Sequence, residues 1–311
     1  MNIPDFFFSP CTEVLLLAII LDIIFQEPPG AIHPVVWMGK GIRYLQELPF
    51  SNKKIHGIFL VVVMIFTSFI LGIIIIITAQ MLPETISLLI LAFFLKSTFS
   101  FRMLLGTGWN IMNLINSKKS LKAQEELRAL VSRDTTGLDK PHMVCAVIES
   151  ISENFVDTIL SPLLYYLILG VPGALAYKSV NTLDSMVGYK NTEFIELGWA
   201  SAKLDDVLNW IPARLSLIFI TLASFFGGNP KNTITVCIRD RTLTSSPNSG
   251  WPMAATSGAL SIQLEKPGEY KIGREFVLPD TKDIENVIKL ITIASMIIYL
   301  MLVIIDNPFM R

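Results

Sequence analysis

Apolar residues in this chain occur in long blocks separated by polar stretches. Residues 57–79 contain no charged side chain, and residues 287–305 contain one, Lys289, near their start. Each of these blocks is long enough to cross about 30 Å of hydrocarbon as an α-helix. Other blocks are shorter or are interrupted by charged or helix-breaking residues. The pattern predicts these candidate membrane segments: residues 14–25, 57–79, 86–105, 155–177, 211–226 and 287–305.

Polar stretches at residues 26–56, 106–154, 178–210 and 227–286 separate most of these blocks. No internal repeat or low-complexity tract divides the chain. We therefore predict that residues 1–311 form a single all-α, multi-pass membrane domain, with about four to six transmembrane or re-entrant helices. Short apolar alternation around Pro267 and Gly268 predicts one small β-hairpin in the last loop.

Lysine and arginine are concentrated in residues 26–56, 106–154 and 227–286, whereas residues 80–85 contain neither. Because cytoplasmic loops carry the excess of positive charge, these three stretches are predicted to face the cytoplasm and both termini to lie outside. Residues 178–210 join them only if residues 155–177, broken by Pro162 and by residues 170–173, are re-entrant. We favour that topology, which puts all four loops on the cytoplasmic side of the cell membrane.

Composition supports a membrane protein and excludes some functions. Hydrophobic residues make up 52% and charged residues 16% of the chain, against about 25% charged residues in ordinary soluble domains. The net charge of −1 leaves no basic field for a nucleic-acid partner. The three cysteines are far apart, which fits neither a disulfide framework nor a zinc site.

One acidic helix is predicted after residue 139. Asp139 and Pro141 form a helix start, and Glu149, Glu153 and Asp157 follow at four-residue steps, so their carboxylates are expected to share a face. Two interpretations stay open: a solvated acidic face, or a divalent metal that compensates the repulsion. The position of Asp157 favours a functional role for these carboxylates, because Asp157 lies inside an apolar run where a charged side chain is costly.

A second polar set lies in residues 178–210 and just beyond. Asp184 and Lys190 offer an acid and a base, and Asp205 and Asp206 precede Asn209 by about one helical turn. Carboxylate oxygens suit magnesium bridged to substrate phosphates, and Arg214 suits a phosphate or carboxylate. A helix-capping acid pair with a snorkelling arginine explains the same spacing equally well.

Weaker candidates lie in the remaining loops. The turn around Asn248 and Ser249 is predicted to expose backbone N–H groups to an anion, and His33 lies between prolines at a candidate substrate edge. The third candidate is a loop that mixes a cation, an acid and a hydroxyl: Arg133, Asp134 and Thr135. Ordinary turn chemistry explains each of these as well.

Five sequence motifs that contain these candidate residues together resemble a known family. In chain order they are LDIIFQEPPGAIHPVVWMGK, SRDTTGLDKPHMVCAVIESISENFVDTILSPL, PGALAYKSVNTLDSMVGYKN, GWASAKLDDVLNWIPARL and SPNSGWPMAATSGAL. The chain resembles the adenosylcobinamide-phosphate synthase family of cobalamin biosynthesis from about residue 21 to residue 264. Five motifs in one order are far more specific than any single short pattern.

The resemblance implies a membrane enzyme, an acid–amine ligase. It would join adenosylcobyric acid to (R)-1-aminopropan-2-ol, or to its O-phosphate, through an amide bond, with ATP consumed and magnesium required. Its partners would be these substrates and the lipid bilayer. The sequence does not decide which amine donor is used, whether the chain forms a homo-oligomer, or which residues contact ATP.

Placing that chemistry on the motif residues gives a predicted site. The catalytic set is Glu153, Asp157, Asp184, Lys190 and Asp206. The metal set is Glu153, Asp157, Asp205 and Asp206. The substrate or nucleotide set is His33, Arg133, Asp134, Thr135, Asn154, Asn209, Arg214, Asn248 and Ser249. We also expect Trp37 beside the corrin ring.

Two other classes of protein remain as alternatives. A membrane sensor without catalysis has a similar architecture, although polar motifs in all four loops argue against it. A transporter would use Asp157 and the broken segment 155–177 as parts of its pathway. A transporter would move its substrate across the membrane without forming a product at the expense of ATP.

Overall fold

The computed structural model describes residues 10–306 except residues 26, 132–134, 136 and 189–193, and it leaves the side chains of residues 129 and 306 undescribed. The described chain is mainly helical. In chain order the helices and strands are α1 (Thr12–Ile24), α2 (Pro34–Gln46), α3 (Lys53–Gln80), α4 (Glu84–Lys96), α5 (Phe101–Asn116), α6 (Ser120–Leu130), α7 (Lys140–Phe155), a π-helical turn (Val156–Leu160), α8 (Ser161–Val187), α9 (Trp199–Leu208), α10 (Trp210–Ser224), α11 (Pro230–Asp240), α12 (Gly250–Leu260), β1 (Leu264–Lys266), β2 (Tyr270–Ile272) and α13 (Thr281–Asp306).

The chain forms two compact units. The first comprises the described residues of Met1–Phe101, Ser161–Asn209 and Met301–Arg311. The second comprises those of Arg102–Leu160 and Trp210–Leu300. Each unit is therefore built from segments that are distant in sequence.

In the first unit, α3 is the long central helix and packs closely against α8. A Cβ atom at Gly72 of α3 would lie 2.5 Å from the Pro172 Cα, and one at Gly57 would lie 2.1 Å from the Leu197 carbonyl oxygen. Small residues at such contacts let helix backbones approach closely in membrane proteins. The outer side of α3 is apolar and open, with Phe66 exposed by 66%, as expected of a surface that faces lipid.

We expect Gly72→Ala to destabilise the protein by about 1–3 kcal/mol, because the new methyl group forces α3 away from Pro172. The measurement is the unfolding midpoint of the detergent-solubilised protein. Gly106→Ala is the matched control, since a Cβ there meets nothing within 4 Å. Equal midpoints for the two variants would contradict the close packing.

In the second unit, α10, α11 and α12 pack on one another, and α12 also contacts α7 and β2. The predicted start of α7 is confirmed: Asp139 accepts a hydrogen bond from the His142 N–H at 3.0 Å, and Pro141 lies in the first turn. The predicted hairpin is confirmed as well. Strands β1 and β2 pair antiparallel through a turn in which Gly268 has a φ of 80°.

Three helical stretches are long and apolar enough to cross a membrane: Lys53–Gln80, Lys140–Val187 and Thr281–Ile305. Two broken helix pairs, α4 with α5 and α9 with α10, raise the number to as many as five among the described residues. This confirms an all-α protein with several membrane-spanning helices.

Several predicted segment boundaries were wrong. Segment 14–25 corresponds to α1, whose 13 residues rise only about 20 Å and are too short to cross alone. Segment 86–105 is divided between α4 and α5, and segment 211–226 holds the 15-residue α10. The stretch 178–210 was predicted to be a loop, but α8 continues to Val187 and α9 fills Trp199–Leu208. Within α8 the break falls at Gly170, with a φ of 62°.

Candidate functional site

Four motif residues of the first unit lie near one another where α8 and α9 end. Asp184 belongs to α8, Asp205 and Asp206 to α9, and Asn209 follows α9 as its C-cap. The three carboxylates are close enough to repel one another electrostatically. We call Asp184, Asp205, Asp206 and Asn209 the aspartate cluster.

Asn209 connects the aspartate cluster to α8. Its side chain is buried, and its amide Nδ2 donates to Asp205 Oδ2 at 2.9 Å, so the predicted shared face is confirmed. The Asn209 Oδ1 accepts from Ser161 Oγ at 2.6 Å and from Tyr177 Oη at 2.9 Å. With these three hydrogen bonds the amide is directed inward, and it fixes the orientation of the Asp205 carboxylate.

Asp184 and Asp205 each keep one oxygen without a hydrogen bond. In both residues Oδ1 is buried and has no hydrogen-bond partner among the described residues. Besides the cluster itself, two described neighbours act on Asp205: the Asn181 side chain and the ammonium group of Lys178, which donates to Asn181 Oδ1 at 3.2 Å. Because buried carboxylate oxygens are costly unless a cation or donor satisfies them, the cluster has the chemistry of a cation site.

The donor set of the aspartate cluster fits magnesium that is shared with a substrate. No group of three or more His, Cys, Asp or Glu side chains in the described part of the chain is arranged to hold a metal ion by itself. Magnesium, however, is commonly held by one or two carboxylates with substrate phosphates completing its shell. Asp184 and Asp205 supply two such carboxylates.

The acidic helix belongs to the second unit, as do Glu153 and Asp157 of the predicted metal set. Glu149 is buried with 6% exposure, whereas Glu153 is exposed, so the two carboxylates have different environments. A π-helical turn begins at Val156 and shifts the register, so Asp157 departs from the four-residue spacing that predicted three carboxylates on one face. Asn154 Nδ2 donates back to the Ser150 carbonyl at 2.9 Å.

The turn around Asn248 does not present its amides as predicted. The backbone N–H groups of Asn248 and Ser249 both point at Ser246 Oγ, at 3.2 and 3.4 Å. Both side chains are largely buried, at 7% and 8% exposure. Two of the backbone N–H groups that were predicted to bind an anion therefore donate within the turn instead.

Thr135 is the described member of the Arg133, Asp134 and Thr135 loop. It is 1% exposed, and its Oγ1 donates to the Gln124 carbonyl at 2.9 Å. This contact ties the loop to α6, and the predicted binding role of Thr135 stays a prediction. Arg133, Asp134 and Lys190 lie outside the described residues, so their predicted roles stay predictions.

His33 is part of a buried ionic network in the first unit. It caps α2 by accepting from the Val35 N–H, and its Nε2 lies 2.9 Å from Glu27 Oε2. The Lys96 Nζ lies 2.9 Å from Glu27 Oε1 and 3.4 Å from Asp22 Oδ1. Burial would raise the pKa of Glu27, but hydrogen bonds from His33, Ser100 and Lys96 outweigh it and lower the pKa to about 2.

Lys96 was missed as a site residue by the sequence analysis. Its signal was a lysine inside the apolar segment 86–105, where a charged side chain is expensive and usually has a partner. Trp37, proposed for the corrin face, is 42% exposed, and its Nε1 donates to the Ala31 carbonyl at 2.9 Å. The indole therefore keeps an open face beside the loop that follows Glu27.

Comparison with known proteins supplies independent information. The family model described as CobD/Cbib protein matches residues 15–297. The chain is 42% identical to a probable cobalamin biosynthesis protein CobD of Methanothrix thermoacetophila, over 90% of this chain and 92% of the relative. A cobalamin biosynthesis protein CobD of Dehalococcoides mccartyi is 39% identical, over 86% of this chain and 89% of its own. No solved structure matches the chain.

Proposed function

The chain belongs to the CobD/Cbib family of cobalamin biosynthesis proteins, and we propose that it is an ATP-dependent amide ligase. The proposed reaction joins the carboxylate of adenosylcobyric acid to the amine of (R)-1-aminopropan-2-ol or of its O-phosphate. The motifs that resemble adenosylcobinamide-phosphate synthases support this choice. The carboxyl and amine groups require activation before they condense in water.

The aspartate cluster is the observation that carries the proposal. Two buried carboxylate oxygens without hydrogen bonds, on Asp184 and Asp205, offer a place for magnesium, and an ATP-dependent ligase needs one beside its transferred phosphoryl group. When bound there, magnesium supplies charge neutralisation of the phosphates. Asp184 and Asp205 would hold it, and Asp206 would contribute negative charge nearby.

The proposed reaction balances in two steps. First, a carboxylate oxygen of the corrinoid attacks the γ-phosphorus of ATP and ADP leaves, which yields an acyl phosphate. The amine nitrogen then attacks the acyl carbon, phosphate leaves, and the nitrogen loses a proton. Positioning and charge neutralisation dominate such catalysis. Lys190 and Arg214 are proposed to neutralise phosphate charge.

The remaining motif residues have proposed roles in binding. We assign Glu153, Asn154 and Asp157 to metal or phosphate handling within the second unit, and His33 and Trp37 to the large corrin face. The motif-bearing loops are proposed to face the cytoplasm, where ATP is available. This orientation rests on the distribution of lysine and arginine.

The test is product formation by the purified protein in detergent. Adenosylcobyric acid, ATP and either aminopropanol or its phosphate are supplied with magnesium or with excess EDTA, and the corrinoid is analysed by mass spectrometry. We expect an amide product that requires both ATP and magnesium. Absence of product with every amine donor, from protein shown to be folded, would refute the ligase and favour a sensor or transporter.

A second prediction concerns the positioning of Asp205. Asn209→Ala removes the donor that holds Asp205 Oδ2, so we expect the magnesium concentration for half-maximal rate to rise about 10- to 100-fold. The rate at saturating magnesium should fall much less. Glu196→Gln is the control, because Glu196 is exposed just before α9 and makes no contact with the described residues of the cluster. Equal magnesium requirements in the two variants would argue against positioning by Asn209.

A further inference from the structure

Two arginines of the second unit lie beside the same tryptophan. The guanidinium carbons of Arg214, on α10, and Arg241, directly after α11, are each 5.0 Å from the ring centroid of Trp251 on α12. Arg214 also lies 3.9 Å from the Trp210 ring, and its Nη1 donates to the Trp210 carbonyl at 2.7 Å. Its guanidinium is therefore held in one orientation.

The packing of the helices brings these residues together. Helix α12 begins at Gly250, where a Cβ atom would lie 2.0 Å from the Arg241 carbonyl oxygen and 2.9 Å from Thr244 Oγ1. Glycine thus allows the first turn of α12 to lie against the end of α11. This contact places Trp251, the next residue, beside Arg241.

The two guanidinium groups have no carboxylate partner among the described residues. They contact indole rings and donate to the backbone carbonyls of Trp210 and Ile238. Arg239 differs from its near neighbour Arg241, because it binds Asp240 at 2.7 Å and Glu275 at 2.8 Å. The nearby carboxylates of Asp240 and Glu275 thus pair with Arg239. Arg214 and Arg241 are left as two positive charges that repel each other across the Trp251 ring.

We propose that Arg214, Trp251 and Arg241 form a phosphate-binding site. Guanidinium groups bind phosphate oxygens bidentately, and contact with an indole face preorganises them for it. An anion between them would also relieve their mutual repulsion. The inference rests on the proposed function, in which phosphate arrives as part of ATP or of the phosphorylated amine donor.

Binding measured without turnover tests the site. Calorimetric titration of the detergent-solubilised protein uses pyrophosphate, ATP, aminopropanol phosphate and unphosphorylated aminopropanol as probes. The variants are Arg214→Gln, Arg241→Gln and Arg241→Lys, and all are first checked for folding by circular dichroism. Lys231→Gln is the matched control, since Lys231 is exposed at the other end of α11.

We expect each glutamine variant to bind at least one phosphate probe about tenfold more weakly, the usual worth of a charged hydrogen bond. The phosphate affinity of Arg241→Lys should lie between those of the wild type and Arg241→Gln, because lysine keeps the charge but cannot bind bidentately. The control should bind as the wild type does. The probe that is lost in the variants identifies the source: ATP points to the nucleotide, and aminopropanol phosphate points to the amine donor.

Affinities for all phosphate probes within twofold of wild type in both glutamine variants would overturn the site. The amide-forming assay separates this failure from that of the proposed function. Phosphate binding that depends on the arginines, without any amide product, would support the phosphate site and refute the ligase. Amide product from wild type and variants alike, together with unchanged phosphate affinities, would keep the ligase and refute the site.

Discussion

Replacing Asp205 by asparagine is expected to reduce amide formation about a thousandfold, the effect of losing roughly 4 kcal/mol of charge stabilisation. The new side chain has nearly the same shape, and its oxygen can still accept from Asn209 Nδ2, which now donates to Oδ2 at 2.9 Å. What it lacks is the negative charge at the buried Oδ1. The loss therefore reports on charge rather than on packing.

The stability of the same variant distinguishes a functional charge from a structural one. Asp205 is repelled by Asp206 and itself repels Asp184, so removing its charge should leave the unfolding midpoint unchanged or raise it. The measurements are the rate of product formation and the unfolding midpoint in detergent. Glu196→Gln, an exposed carboxylate just before α9, should change neither. Activity within tenfold of wild type in Asp205→Asn would exclude Asp205 as a metal ligand.

Replacing Lys96 by methionine is expected to destabilise the protein by about 3–5 kcal/mol, because it leaves a buried ion pair without one partner. Lys96 and Asp22 are 3% and 2% exposed, and Glu27 lies 2.9 Å from the ammonium. Two carboxylates would then remain close together with the central positive charge gone. The free energy of unfolding in detergent micelles is the quantity to measure.

Two further variants make the Lys96 prediction specific. Lys289→Met is the control, since Lys289 pairs with Glu285 on an exposed surface, with 65% and 40% side-chain exposure, and such pairs contribute about 0–1 kcal/mol. Adding Asp22→Asn and Glu27→Gln to Lys96→Met should recover much of the lost stability, because no unpaired charge remains. If the triple variant were no more stable than Lys96→Met, lost packing would be the cause instead.

Local features of the fold and of the candidate site followed from the sequence. The cap at Asp139, the hairpin turn at Gly268 and the shared face of Asp205 and Asn209 all depend on residues within a few positions of one another. Such contacts are fixed by the geometry of a single helix or turn. The family resemblance likewise needed only the order of motifs along the chain.

Other features depend on a neighbouring part of the molecule and could not be predicted. Thr135 was predicted to bind substrate or nucleotide, which stays a prediction; the structure shows that its side chain is buried and donates to the Gln124 carbonyl of α6. The backbone N–H groups of Asn248 and Ser249 were predicted to face an anion, but both donate to the Ser246 hydroxyl oxygen. Asp157 was placed on a regular helix face, and a π-helical turn displaced it.

The sequence by itself determined that this is a helical membrane protein of the cobalamin pathway, because apolar length and motif order are properties of the linear chain. Tertiary structure decided which polar groups meet and which are buried. Asn209 contacts Ser161, 48 residues away, and Lys96 contacts Asp22, which is still more distant along the chain. These pairings arise where helices pack, and no local periodicity encodes which distant side chain will satisfy a buried charge.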